Sequence, residues 1–153
     1  MIKPIDVKKL YPRERYLHRL RLFYDDEEII KVLTGIRRCG KSTILKLAMR
    51  ELIERGVPLE NIIYLEMRRR GYEVYVGKLG SREIDFVAEK RGERIYVQAC
   101  VSIPEDSTRE TDNLLEIPDN YPKYVVTLDR LATGNEKGIL IVHLEDFLMA
   151  VNW

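Results

Sequence analysis

Residues 29–43 read Ile29-Ile30-Lys31-Val32-Leu33-Thr34-Gly35-Ile36-Arg37-Arg38-Cys39-Gly40-Lys41-Ser42-Thr43. The first six form a short apolar run rich in branched side chains, which predicts a buried strand over 29–34. Gly35 to Ser42 then fit the pattern G-x-x-x-x-G-K-[ST]. A helix is predicted over 41–55, with Ile44, Leu45, Leu47, Ala48, Met49, Leu52 and Ile53 as an apolar stripe wide enough to pack on a sheet. Gly56 ends it and Pro58 forbids continuation. In such an order the glycines let the backbone wrap so that N–H groups point inward at phosphates. The helix start adds partial positive charge.

The pattern assigns roles. Lys41 would reach the β- and γ-phosphates of ATP, and the Ser42 hydroxyl would coordinate Mg²⁺. Thr43 would add a hydroxyl near the α-phosphate. The nucleotide-contacting set is therefore Gly35, Arg38, Cys39, Gly40, Lys41, Ser42 and Thr43, with Ser42 also at the metal. Arg37 and Arg38 read equally as phosphate-neutralising groups or as solvated loop residues, and Cys39 reads as a small loop filler rather than a reactive thiol. Hydrolysis needs more than binding: an acid at the end of a neighbouring apolar strand must hold the metal's water shell. Glu66, after Ile62–Leu65, and Asp129, after Tyr124–Leu128, imitate that pattern. Both read better as ordinary strand ends entering turns, so no convincing catalytic acid is present.

Outward from this stretch, Tyr16, Leu17, Leu20, Phe23 and Tyr24 recur at helical spacing behind Pro12, which predicts a helix over 12–24. Asn61–Leu65 reads as a second buried strand. After Arg68-Arg69-Arg70, three basic residues that read as a solvated face, the texture changes, and a boundary falls near 67–71. Strands are predicted over 72–78, 83–89 and 94–101, the last two joined by the turn Lys90-Arg91-Gly92-Glu93. Ser107 and Glu110 form a capping box for a helix near 107–117. Strands follow at Tyr124–Leu128 and Gly138–Val142, separated by a turn-rich segment, and a short helix over 144–151 docks Phe147 and Trp153. His18 and His143 are isolated and read as helix-flank or surface groups.

Composition bounds the rest. The chain has 153 residues, 45% hydrophobic and 33% charged, which is globular rather than disordered. The net charge of +1 divides into +4 for residues 1–66 and −3 for 67–153, so no global field marks a nucleic-acid or membrane protein. Two cysteines make no disulfide scaffold. The start lacks an apolar signal region and no run reaches about 18 apolar residues. The expectation is a soluble cytoplasmic protein without a membrane partner.

Together, the string from Ile29 to Ser42 and the following Asn61-Ile62-Ile63-Tyr64-Leu65 resemble a group of prokaryotic AAA-type ATPases, in which GIRRCGKS is the usual phosphate loop. Their C-terminal domain resembles the PD-(D/E)XK nuclease fold. The second half here looks like that domain at Arg69–Lys78, Glu83–Lys90, Arg94–Gln98 and Asp119–Asp129. The resemblance implies an α/β protein: a partial P-loop NTPase unit over 1–66, followed by a restriction-endonuclease-like domain over 67–153. It also implies an internal deletion, since family members are much longer and carry the acidic strand, sensors and arginine finger between these blocks. ATP with Mg²⁺ is then the expected ligand, with hydrolysis weak or absent. In the nuclease fold an Asp and an E-x-K converge on a metal. Asp85 matches the Asp, but Gln98 and Cys100 stand at the E-x-K positions, so nuclease activity is not expected. The alternative is a nuclease-fold scaffold for protein or nucleic acid without nucleotide function, the Arg68–Arg70 run being its one basic cue.

Overall fold

A computed structural model describes residues 13–26, 32–103 and 109–153. They divide into two compact units, Met1–Val57 and Pro58–Trp153. The class is mixed α/β, with five helices and one six-stranded sheet among the described residues.

In the first unit, α1 (Glu14–Arg21) and α2 (Lys41–Glu54) pack through Leu17, which is buried with Ile44 and Ala48. Leu20, Tyr24, Leu33 and Leu47 surround that contact. Arg21 binds Glu51 at 2.6 Å, and Tyr24 Oη donates to the same carboxylate at 3.1 Å. The two helices therefore run in the same direction. Pro12 and residues 29–31 of the predicted helix and strand lie outside the described residues. Val32, Leu33 and Thr34 belong to no strand, a departure from the expected 29–34. A strand exists by its ladder, and this unit offers no partner strand among the described residues. The apolar stripe of α2 accordingly meets no sheet there, and Leu45 is exposed.

The second unit begins with α3 (Leu59–Arg69), which corrects the predicted strand over Asn61–Leu65. Leu59, Ile63 and Met67 are its buried residues, four apart, and that helical period outweighs the β-branched content of Ile62-Ile63. Pro58 stands at the helix start, Glu60 sits in the first turn, and Arg68 and Arg69 sit in the last. Because α3 packs on the strands that follow, the unit boundary lies at Pro58 rather than near 67–71.

Three strands then form an antiparallel meander: β1 (Glu73–Leu79), β2 (Arg82–Lys90) and β3 (Glu93–Cys100). Arg91 and Gly92, at φ of 51° and 86°, make the two-residue hairpin expected there. The helix α4 (Arg109–Leu115) carries the chain to β4 (Lys123–Thr127), parallel to β3. Ser107, of the expected capping box, lies outside the described residues. A short β5 (Gly134–Glu136), not foreseen in the turn-rich segment, pairs with β6 (Ile139–His143), which lies parallel to β4. The sheet order is β1-β2-β3-β4-β6-β5, and α5 (Leu144–Met149) follows β6 directly.

One sheet face packs Ile84, Tyr96, Val125, Ile139 and Ile141 against Leu114 and Ile117 at α4. Side chains of alternate parity, such as Val97 and Val126, are buried on the other face, where α5 sets Phe147 edge-on to Tyr124 at 6.1 Å. The Arg68–Arg70 run is solvated only in part. Arg68 and Arg69 are exposed, but Arg70 pairs with Glu66 at 2.7 Å, donates to Leu148 O at 3.0 Å and lies 4.1 Å over the Trp153 ring. Trp153 stacks on Phe147 at 4.2 Å. Arg70 thus joins α3 to the segment after β6.

Candidate functional site

The glycine-rich loop folds where the sequence places it, at the start of α2. Three of its residues have positive φ: Gly35 at 144°, Arg38 at 64° and Gly40 at 90°. These turns let six residues wrap over one helix end. Gly35 has a second constraint, because a Cβ there would lie 3.0 Å from Cys39 Sγ. Cys39 therefore packs across the loop against Gly35, which is the filler role the sequence suggested.

Lys41 is the first residue of α2, and its side chain turns back over the loop. The ammonium donates to Gly35 O at 2.8 Å and Ile36 O at 2.9 Å, with Cys39 Sγ at 3.6 Å. Ser42 and Thr43 follow in the first helical turn, Ser42 exposed and Thr43 half-buried. The helical ladder starts with Ile44 N donating to Gly40 O, so the preceding N–H groups open toward the loop. Gly40 provides no side-chain cap, and no acidic residue occupies the first turn. Each other described helix carries an acidic residue there: Glu14, Glu60, Glu110 and Glu145 in turn. The α2 start is thus the helix end whose partial positive charge is left uncompensated.

One contributor was not foreseen. Arg13, just before α1, donates from Nη1 to Cys39 O at 2.8 Å. Its guanidinium also lies 3.3 Å from where a Cβ on Gly40 would stand. The sequence separation of 26 residues carries no local signal for this contact. Arg37 and Arg38 remain exposed.

The two acids weighed for hydrolysis are otherwise engaged. Glu66 sits on α3 and binds Arg69 at 2.6 Å and Arg70 at 2.7 Å. Burial works its carboxyl upward, but those two arginines hold it below the usual range. Asp129 accepts from Leu131 N at 2.9 Å and closes the turn after β4.

In the second unit Asp85 on β2 and Gln98 on β3 are in contact. Asp85 N donates to Gln98 Oε1 at 3.3 Å, and Asp85 Oδ2 accepts from Ala99 N at 2.7 Å. The β2–β3 pairing runs from Lys90↔Glu93 only to Phe86↔Val97. Beyond it the Asp85 carboxylate satisfies the Ala99 N–H. Burial pushes the Asp85 carboxyl up against that hydrogen bond, and Glu60, Glu110 and Glu83 add to the rise. Burial likewise pushes the Cys100 thiol up, and its Sγ donates to Ser102 O at 2.9 Å. Among the described residues no group of three or more His, Cys, Asp or Glu is placed to hold a metal. No described helix is long and apolar enough to cross a membrane. His18 is exposed, whereas His143 is buried as the N-cap of α5, so only its helix-flank reading holds.

Compared with known proteins, the chain is 50% identical over 91 residues to an uncharacterized protein of Haemophilus influenzae. The match covers 60% of this chain and 22% of that protein, so it spans about a fifth of the relative's length. No family model matches the chain, and no solved structure matches it.

Proposed function

We propose that this chain binds ATP with Mg²⁺ through residues 35–43. The observation that carries the reading is the Lys41 ammonium, held over the loop by two neutral carbonyls at a helix start with no acidic residue in its first turn. Anionic oxygens would attract that ammonium more strongly than carbonyls do. The helix end, whose ladder begins only at Ile44 N, and Lys41 both favour negative charge at one place. Ser42 is the hydroxyl for the metal, and Thr43, Arg38 and Cys39 border the phosphates. The triphosphate group supplies its own affinity for Mg²⁺, which fits a motif over residues 35–43 that offers the Ser42 hydroxyl to the metal and contains no carboxylate. With Glu66 and Asp129 engaged elsewhere, the reading is binding with weak or absent hydrolysis. It includes the finer assignment of the first unit as a partial P-loop NTPase of the AAA type.

A second reading concerns Pro58–Trp153 and is supported by the Asp85–Gln98 contact on β2 and β3. It is that of a restriction-endonuclease-like domain without a catalytic centre, kept as a scaffold for protein or nucleic acid. One carboxylate facing a neutral amide holds Mg²⁺ poorly.

The test is a thermal melt of the full chain with and without millimolar Mg·ATP, beside Lys41→Ala. A ligand at about 100 times its Kd adds roughly 2.7 kcal/mol to the state that binds it. A transition raised by ATP in the wild type and not in Lys41→Ala is expected. Indifference to ATP in both would overturn the nucleotide reading and leave the scaffold.

A further inference from the structure

The phosphate loop receives a cation from outside its own motif. Arg13 touches the loop at two residues, through Nη1 on Cys39 O and through its guanidinium plane against Gly40. Its position is set by packing rather than by chance of a long side chain. Leu17, one turn further along α1, is buried with Ile44 and Ala48, and Arg21, a turn beyond, is bound to Glu51. Three contacts in parallel register thus deliver the start of α1 to the start of α2.

Arg13 differs from the arginines of this chain that are tied up in ion pairs. Arg21, Arg69, Arg70, Arg94 and Arg130 each bind a carboxylate. Among the described residues Arg13 has the Cys39 carbonyl and no carboxylate. A guanidinium carries five N–H donors in a fixed fork, and one carbonyl uses one of them. The remaining donors stand beside the loop that Lys41 covers.

Resting on the nucleotide reading above, we propose that Arg13 is a ligand of the ATP phosphate chain. Its guanidinium binds phosphate oxygens from the α1 side while Lys41 binds them from the α2 side. Nucleotide thereby bridges the two helices of the first unit, and α1 is part of the site rather than a flank to it. Gly40 is the residue that lets the guanidinium lie this close, since any Cβ there would press on it at 3.3 Å.

The experiment is calorimetric titration of the full chain with Mg·ATP at several salt concentrations, on wild type, Lys41→Ala, Arg13→Ala, Arg13→Lys and the exposed neighbour Arg15→Ala. Arg13→Ala is expected to weaken ATP binding about tenfold or more and to flatten the dependence of Kd on salt, because a charge contact to phosphate has gone. Arg13→Lys keeps the cation without the fork and should recover part of the loss, while Arg15→Ala should match the wild type. Circular dichroism melts without nucleotide establish that Arg13→Ala is folded. If Arg13→Ala binds as the wild type while Lys41→Ala does not, the proposal fails and the nucleotide site stands. Weakened binding with an unchanged salt slope would reduce Arg13 to a staple of the loop and also overturn it. A wild type that takes up no ATP would remove the site itself.

Discussion

Gly35 and Cys39 close the loop before α2 on each other: the Sγ of Cys39 lies 3.0 Å from where a Cβ on Gly35 would stand. Gly35 also has φ of 144°, in a region that side chains other than glycine's rarely enter. Two separate costs therefore attach to Gly35→Ala. Backbone strain of this kind costs about 1–3 kcal/mol, and the contact adds to it. The expected result is loss of Mg·ATP binding by more than about tenfold in calorimetry. The pair Gly35→Ala with Cys39→Ala removes the contact but not the strain and should recover only part. Full recovery in the double variant would mean that the backbone angle is of no consequence.

A second glycine bears on stability alone. Gly77 on β1 faces a β-bulge in β2, where the register shifts between Tyr75↔Val87 and Gly77↔Ile84. A Cβ on Gly77 would meet Val87 Cγ2 at 2.7 Å and Ile84 Cβ at 3.0 Å. Both belong to β2, which is fixed by pairing with β1 and β3. Gly77→Ala should cost about 1–3 kcal/mol by urea unfolding, the usual range for overpacking. Gly134→Ala, with open space around it, should change stability by less than about 0.5 kcal/mol.

The readable parts of this chain share one property: their signal is local. The loop from Gly35 to Ser42, the hairpin at Arg91-Gly92 and the strands β2, β3, β4 and β6 follow from adjacent residues, and each stands where the sequence placed it within one or two positions. The strand expected at Asn61–Leu65 failed because Ile62, Ile63, Tyr64 and Leu65 look β-like one by one, while Leu59, Ile63 and Met67 share a helix face. β5 was hidden in Gly134-Asn135-Glu136, residues of poor strand propensity that pair only because β6 offers an edge. Within the candidate site, Lys41 and its glycines were legible, and Arg13 was not. Its contact depends on how α1 packs on α2, which no window of neighbouring residues contains.

The carboxylate of Asp85 is a structural acceptor, which gives a prediction opposite in kind to catalysis. Asp85→Ala leaves the Ala99 N–H without its 2.7 Å partner and should destabilise the second unit by about 1–3 kcal/mol. The same variant should leave DNA handling unchanged, because the wild type with Mg²⁺ is expected to leave linear duplex DNA intact in a gel assay. Metal-dependent cleavage lost in Asp85→Ala would make the residue catalytic and reverse the assignment.

The last prediction follows from His143, whose Nδ1 accepts from Glu145 N at 3.1 Å at the start of α5. Accepting there requires Nδ1 to be unprotonated. Burial holds the imidazole below its usual value of 6.5, and the Arg130 charge works the same way, against smaller upward pulls from Glu145, Asp146 and a hydrogen bond to the Leu128 backbone. The sign follows from which state takes up the proton. On acidification the unfolded chain binds it near pH 6.5, whereas the folded chain resists until its lower value is reached. The stabilising contribution is therefore fully present above pH 6.5 and is lost as the pH falls through the window beneath it. Urea melts of the wild type should show stability falling as the pH drops below about 6.5, before most carboxylates titrate. Asn can cap a helix without titrating in this range, so His143→Asn should flatten that fall while keeping α5 in place. Parallel losses in the two proteins would show that the imidazole is not held neutral by the fold.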